Sequence, residues 1–219
     1  MKVCTDSCLF GAYVAHKIEQ KIIEPKRILD IGSGTGLLSL MIAQKSNAII
    51  DSVEIDEKSY QQTKENFYES HWNHHLQAFH DDIKNFDASS KYDLIISNPP
   101  FFENDLKSEH KNKNVAKHRD GLTLQELVQS IQNHLESNGT FAVLLPFRRT
   151  AYFKRTAAEN NFYLKEEKLI KQTPKHQYFR AILFFETKPA SVISKELVIK
   201  DEKANYSEQF QFLLKDYYL

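Results

Sequence analysis

Short apolar runs typical of strands alternate along the chain with longer segments whose apolar residues recur at helical spacing. Helices are predicted at residues 6–22, 57–70 and 122–135, and one more follows a glycine-rich turn within residues 32–44. The predicted strands cover residues 27–31, 48–56, 76–79, 92–97 and 139–146. Because strands alternate with helices, the pattern predicts a parallel sheet with helices on both faces.

The C-terminal third of the chain has a different pattern. Residues 162–170 and 178–186 are typical of adjacent antiparallel strands that are joined by a turn, and residues 196–201 and 206–218 of a strand and a helix. We therefore predict an α/β fold: a doubly wound, seven-stranded, mostly parallel sheet of the Rossmann-like type with an antiparallel C-terminal strand pair.

Length and composition limit the number of domains, the binding partners and the cellular location that the sequence allows. We expect a single domain over residues 1–219, with residues 190–219 as a small strand-helix addition. Lys plus Arg and Asp plus Glu both number 29, so a nucleic-acid partner would have to bind local basic patches. The sequence has no run of about 18 apolar residues and no signal segment, so a cytoplasmic protein without a membrane span is expected. We also expect a monomer.

No metal site is predicted. The two cysteines, Cys4 and Cys8, would need further ligands to bind a metal ion. The histidines His71, His74 and His75 lack the spacing of known metal motifs. A solvated helix end explains this histidine cluster better.

A glycine-rich turn lies between the first predicted strand and the helix that follows it. In the sequence DIGSGTG, the glycines Gly32, Gly34 and Gly36 allow the backbone to turn tightly and approach a ligand at the carboxyl edge of the sheet. Glu54 ends the second predicted strand, where a carboxylate can accept from both hydroxyls of a ribose. The pattern therefore favours a cofactor that carries a nucleoside.

Both NAD and S-adenosylmethionine carry an adenosine, and two features favour S-adenosylmethionine. Leu37 stands where the third glycine of the dinucleotide fingerprint would fall. Asp30, just before the glycines, suits an ammonium group and repels a pyrophosphate. Asp82 follows the third predicted strand and is the predicted partner of the adenine amino group, with Asp81 as the alternative. The competing interpretation is that these acids only cap helices.

The fourth predicted strand ends at the sequence ISNPPFF. Pro99 and Pro100 cannot continue a central strand, so they fix the backbone beside Asn98. The exocyclic amine of a nucleobase is a poor nucleophile because its lone pair is delocalised into the ring. The Asn98 side-chain oxygen and a carbonyl held by the prolines could accept from both N–H groups of such an amine and favour its pyramidal form. Phe101, with Phe102 as the alternative, would stack on the ring, so catalytic roles are predicted for Asn98, Pro99, Pro100 and Phe101.

The motifs DIGSGTG and SNPPF together resemble class I S-adenosylmethionine-dependent methyltransferases that methylate amino groups. With MKVCTDSCLFGAYV at the start and AKHRDGLTLQELV, the chain is similar from Met1 to about Phe185 to the bacterial tRNA1(Val) adenine-N6 methyltransferases. The resemblance implies methylation of the adenosine immediately 3′ of the anticodon of a valine tRNA, within the anticodon stem-loop. It also implies that the N-terminal segment around Thr5 covers the cofactor. Cys4 and Ser7 stand where that family commonly has glycines.

Two basic segments are the predicted RNA contacts. Residues 107–119 hold five Lys or Arg against one acid, and residues 147–180 hold nine against three. Phosphate binding needs such clusters even when the whole chain is neutral. Ordinary solvated faces are the competing interpretation.

Four other functions stay open on the sequence alone. A protein-glutamine N5 methyltransferase would share the Asn-Pro-Pro-aromatic sequence, but such enzymes carry a helical domain where this chain has only about 26 residues before its first strand. A guanine-N2 methyltransferase of rRNA or a DNA adenine methyltransferase would fit the same motifs. A catalytically silent nucleotide- or RNA-binding module is disfavoured, because binding alone would not require Asn98 and both prolines.

Overall fold

The computed structural model describes residues 4–100 and 121–217. Within these ranges the chain forms eight strands, six α-helices and two short 3₁₀ helices, Asn73–His75 and Phe147–Arg149. The strands are β1 (Arg27–Ile31), β2 (Ile49–Glu54), β3 (Leu76–His80), β4 (Tyr92–Ser97), β5 (Leu135–Pro146), β6 (Tyr163–Lys171), β7 (Tyr178–Glu186) and β8 (Ile193–Val198). The helices are α1 (Thr5–Glu19), α2 (Leu37–Ala43), α3 (Glu57–Glu69), α4 (Leu124–His134), α5 (Thr150–Glu159) and α6 (Glu208–Leu214). None of these helices is long and apolar enough to cross a membrane.

All eight strands belong to one sheet, in the order β3-β2-β1-β4-β5-β7-β6-β8. Strand β7 runs antiparallel to both β5 and β6, and every other pair of neighbours is parallel. The predicted α/β architecture and its antiparallel C-terminal pair are confirmed, but the sheet has eight strands instead of seven. The additional strand is β8, predicted as part of a tail. It pairs with β6, whose outer edge would otherwise present unpaired backbone groups.

Apolar side chains of the central strands alternate between two cores, one on each face of the sheet. On β1, Ile28 lies in the core that α1, α2, α3 and α6 cover, whereas Leu29 lies in the core that α4 and α5 cover. Strand β4 is buried on both faces, which explains its nearly continuous apolar sequence. The doubly wound arrangement therefore follows from the burial of both sheet faces.

Two local features depart from the sequence pattern. Helix α5 has only two buried apolar residues, Phe153 and Ala157, so its helical periodicity is weak in the sequence. Strand β5 begins at Leu135, before the predicted start at residue 139, and its pairing with β4 is irregular near Tyr92. In both places, long-range packing sets a structure that the local apolar pattern does not show.

The segment after β8 packs back onto the first core. Ser207 caps helix α6 by accepting a hydrogen bond from the Phe210 amide, and the Phe210 side chain is fully buried. Further along, the Tyr217 hydroxyl donates to the carbonyl oxygen of Met41 in α2 at 3.2 Å. We propose from these contacts that residues 190–219 fold as part of one cooperative unit with the sheet.

Replacing Phe210 with Ala should therefore lower the free energy of unfolding of the whole protein by about 3–5 kcal/mol, because a large side chain leaves the core. Urea denaturation followed by the fluorescence of Trp72, the single tryptophan, measures this change. Phe212 lies on the same helix with 52% of its surface exposed, so Phe212→Ala is the matched control and should have little effect. An unchanged Trp72 transition in Phe210→Ala would show that the C-terminal segment folds separately.

Candidate active site

The candidate residues meet at one edge of the sheet, where neighbouring parallel strands end. Ile31, the last residue of β1, pairs with Ser97, the last residue of β4. The Ser97 hydroxyl also donates to the Ile31 carbonyl at 2.9 Å. The turn after β1, Glu54 at the end of β2 and Asn98 after β4 are therefore neighbours, as expected for the carboxyl edge of a doubly wound fold.

The glycines of the turn after β1 have positive φ angles, which residues with a side chain rarely adopt. Gly36 has φ of +76°, and a Cβ atom there would lie 2.6 Å from the Phe67 ring. Gly32 has φ of +71°, and a Cβ atom at this position would meet no atom within 4 Å. The space beside Gly32 is thus open, so a ligand could approach its backbone closely.

Glu54 joins the glycine-rich turn to the end of β2. Its Oε2 atom accepts from the Gly34 amide at 2.7 Å, and its Oε1 atom accepts from the Asp56 amide at 2.9 Å. The sequence predicted only a ribose-binding role for Glu54. Its hydrogen bonds to the two backbone amides, which stabilise the turn, are an additional role. Each carboxylate oxygen has a second lone pair, so both can still accept from a hydroxyl group.

Asp30 is a fully buried carboxyl group on β1. Its Oδ2 atom accepts from the Ser39 hydroxyl at 2.8 Å, whereas Oδ1 has no hydrogen-bond partner among the described residues. Burial, opposed by the hydrogen bond from Ser39 and assisted by the charge of nearby Glu54, raises the pKa of Asp30 to about 7. A buried acceptor without a partner is uncommon, and a cationic donor from a ligand would both pair with it and favour its ionised form.

The two acids after β3 differ in their contacts. The Asp81 Oδ1 atom accepts from the Asp82 amide at 2.8 Å. The Asp82 carboxylate accepts from the Lys84 amide at 3.0 Å and lies 3.3 Å from the Lys84 ammonium group. Asp82 therefore stabilises the turn that follows β3. Its predicted contact with an adenine amino group, and that of Asp81, stay predictions.

Ser7 of α1, which the sequence did not indicate as a site residue, holds the side chain of Asn98 in position. The Asn98 Nδ2 atom donates to the Ser7 hydroxyl oxygen at 2.8 Å. Its Oδ1 atom is buried and lacks a hydrogen-bond partner within residues 4–100 and 121–217. The next residue, Pro99, is buried, and Pro100 is exposed. The contact with Ser7 fixes the plane of the amide and leaves its acceptor oxygen available.

Helix α1 is fixed over the sheet by ionic contacts at both ends. Lys17 donates to the Glu166 carboxylate of β6 at 2.7 Å, and the Tyr13 hydroxyl donates to the other oxygen. Burial disfavours the charge of Glu166, but the hydrogen bonds from Lys17 and Tyr13 keep its pKa below the usual value. In the first turn of α1, Asp6 accepts from the Arg180 side chain at 2.8 Å. These contacts set the position of the helix end that meets β4.

The structure brings together most, but not all, of the predicted site residues. Thr5 is the exposed first residue of α1, and its predicted cofactor contact stays a prediction. Phe101, Phe102 and the basic segment 107–119 lie outside the described residues. In the part of the chain that the structure describes, no group of three or more His, Cys, Asp or Glu side chains could hold a metal ion.

Comparison with known proteins identifies full-length relatives. The family model described as the methyltransferase small domain matches residues 12–151. A tRNA1(Val) (adenine(37)-N6)-methyltransferase from Pseudoalteromonas translucida is 35% identical over 100% of this chain and 92% of its own length. An enzyme of the same name from Flavobacterium johnsoniae is 37% identical over 100% of this chain and 93% of its own length.

Solved structures with little sequence identity share the fold. A predicted O-methyltransferase from Agrobacterium tumefaciens is 14% identical, with a TM-score of 0.72 over 95% of both chains. A glycopeptide N-methyltransferase in complex with S-adenosyl-L-methionine is 9% identical, with a TM-score of 0.59 over 81% of this chain and 87% of its own. At such identities the likeness concerns the architecture alone.

The buried Asp30 carboxyl should make stability depend on pH. Its pKa is about 7 in the folded protein and about 4 in an unfolded chain, so the folded state holds an extra proton between these values and loses stability as the pH rises through them. Asp30→Asn keeps an acceptor for Ser39 but does not titrate. Between about pH 5 and about pH 8, the free energy of unfolding of the wild type should therefore fall by roughly 2 kcal/mol relative to that of Asp30→Asn.

Urea denaturation of both proteins across this pH range measures the difference. Asp87→Asn, which changes an exposed carboxyl group, is the control. Parallel stability curves for the wild type and Asp30→Asn would contradict a raised pKa of Asp30.

Proposed function

The chain belongs to the methyltransferase small domain family and to the tRNA1(Val) (adenine(37)-N6)-methyltransferases, and we propose that it transfers a methyl group from S-adenosylmethionine to N6 of an adenosine in tRNA. The names of its full-length relatives support the adenosine immediately 3′ of the anticodon of a valine tRNA as the target. The observation that carries this proposal is the buried, unpaired Oδ1 atom of Asn98 beside the glycine-rich turn.

The residues around the turn fit S-adenosylmethionine. This cofactor, when bound, supplies a reactive methyl group on a positively charged sulfur. Asp30 has an unpaired acceptor atom that suits the ammonium group of the cofactor, and Glu54 has free lone pairs for the two ribose hydroxyls. The open space at Gly32 allows the backbone to contact the cofactor. Asp82, or alternatively Asp81, would accept from the adenine amino group.

Asn98 would bind the amine that is methylated. Its Oδ1 atom is positioned to accept one N–H of the target amine, and the carbonyl of the adjacent proline pair would accept the other. Both acceptors favour the pyramidal amine, in which the nitrogen lone pair is no longer delocalised into the ring. Because Ser7 and the prolines fix these groups before the substrate binds, little reorganisation is needed during the reaction. Phe101 would stack on the adenine ring, which requires the base to leave its own stack.

Methyl transfer to an anticodon stem-loop tests the proposal. We expect the protein to incorporate labelled methyl groups from S-adenosylmethionine into a valine tRNA stem-loop that carries adenosine directly 3′ of the anticodon. The matched RNA has guanosine at this position and should receive almost no label. Mass spectrometry of the digested RNA should identify N6-methyladenosine as the product.

Equal incorporation into the two RNAs would exclude adenine N6 as the target. Labelling of a protein glutamine in place of RNA would favour the glutamine N5 alternative. Absence of any transfer by a protein that binds S-adenosylmethionine would favour a silent binding module.

Replacing Asn98 with Ala should lower turnover by roughly 100-fold, the usual effect of removing one preorganised polar contact to a transition state. Cofactor affinity, measured by calorimetry, should change little, because the proposed cofactor contacts lie on β1 and β2 and in the turns that follow β1 and β3. Asn73 is an exposed asparagine beyond helix α3, so Asn73→Ala is the matched control. Wild-type turnover in Asn98→Ala would remove Asn98 from the catalytic residues.

A further inference from the structure

An aromatic pair lies at the carboxyl edge of the sheet, and one of its rings is exposed. The rings of Phe147, which follows β5, and Tyr178, which begins β7, are 5.2 Å apart at an angle of 49°. The Tyr178 ring is fixed from two sides, since its hydroxyl donates to Glu196 at 2.7 Å and the Lys171 ammonium group lies 4.7 Å from the ring centroid. Phe147, in contrast, is 38% exposed although it is apolar. The pair therefore forms a rigid aromatic surface with one accessible ring.

The surroundings of this surface are basic. Arg148 directly follows Phe147, and Lys175 lies in the turn before Tyr178; both side chains are exposed. Glu196, which accepts from Tyr178, also binds Lys171 at 2.9 Å. Exposed cations beside an accessible aromatic ring are the combination with which proteins bind single-stranded nucleic acid.

Strand register places the aromatic pair near the catalytic asparagine. Ser97 at the end of β4 pairs with Val143 of β5. Asn98 follows Ser97 by one residue, and Phe147 follows Val143 by four. The two side chains are thus separated by about three residues along the strand direction, roughly 10 Å. A nucleotide next to the target in an extended RNA loop would span this distance.

We propose that Phe147, supported by Tyr178, stacks on the base of a nucleotide that flanks the target adenosine, while Arg148 contacts an RNA phosphate. This inference rests on the proposed function and specifies its RNA-binding surface. Stacking on a flanking base would hold the loop open and help to keep the target adenosine out of its own stack.

Binding of the anticodon stem-loop to Phe147→Ala, measured by fluorescence anisotropy at several salt concentrations, tests this surface. Affinity should fall roughly 10-fold, as expected for the loss of one stacked base, while the dependence of affinity on salt stays unchanged. Arg148→Ala should instead reduce the slope of log affinity against log salt by about one. Phe147→Tyr keeps an aromatic ring and should restore binding. Tyr68 on α3 is 80% exposed, so Tyr68→Ala is the matched control.

Abasic nucleotides in the RNA identify the stacked base. Each nucleotide that flanks the target adenosine is replaced in turn by an abasic one. At the stacked position, this replacement should weaken RNA binding by the wild-type protein as much as the Phe147→Ala substitution does. It should cause no further loss of RNA binding by the Phe147→Ala protein. Additive losses at every position would overturn the stacking proposal, as would wild-type affinity in Phe147→Ala.

The binding measurements also separate this inference from the proposed function. If the wild type methylates the adenosine but Phe147→Ala binds RNA normally, the function stands and the stacking surface is wrong. If the wild type methylates no RNA, the proposed function fails, and the abasic series still shows whether Phe147 stacks on a base.

Discussion

The hydrogen bond from the Gly34 amide to the Glu54 carboxylate fixes the glycine-rich turn against the neighbouring strand, and the geometry of the candidate site depends on it. The same carboxylate also accepts from the Asp56 amide, so it pairs with backbone donors of two separate turns. A buried donor without an acceptor would cost about 1–3 kcal/mol, which makes other positions of either turn unfavourable. The left-handed conformations of Gly32 and Gly36 are therefore maintained by a side chain of the next strand as well as by their own local preference.

Besides the Ser33 hydroxyl of the glycine-rich turn, folding leaves two acceptor atoms of this site buried and without partners in the described structure, Asp30 Oδ1 and Asn98 Oδ1. Each such atom costs about 1–3 kcal/mol of stability, and the apolar cores on both faces of the sheet supply the stability that tolerates this loss. A ligand that donates to these atoms recovers the cost on binding. The two atoms suit different donors, because the Asp30 carboxyl group favours a cation, whereas the neutral Asn98 amide favours an amine N–H. In the proposed roles of Asp30 and Asn98, the cofactor and the substrate amine would thus be distinguished by the charge of the group that receives them.

The sequence predicted the central strands and the site residues at their ends, because strands buried on both faces must be apolar and their ends coincide at one edge. Contacts between distant parts of the chain were not accessible in this way. Ser7 meets Asn98 from 91 residues away, and no local pattern relates them. Glu166 lies in a charged segment typical of an exposed strand, yet it is buried because Lys17 and Tyr13 of α1 pair with it. Long-range pairing of polar side chains sets the position of α1, and single-sequence periodicity does not contain that information.

The balanced net charge of the chain conceals a separation of charge along the functional edge. On the side of β1, β2 and β3, the strand ends carry acids: Asp30, Glu54, Asp56, Asp81 and Asp82. On the side of β5, β7 and β6, the same edge carries bases: Arg148, Arg149, Lys171, Lys175 and Arg180. Of these, Lys171 is ion-paired with Glu196, and Arg180 with Asp6. Asn98 follows β4, between these two halves. RNA phosphates are repelled by acids and attracted by bases, so the proposed function would place the polynucleotide on the basic side of β4 and the cationic cofactor on the acidic side. In that arrangement, methyl donor and acceptor would meet at the boundary, where the neutral Asn98 amide would receive the amine.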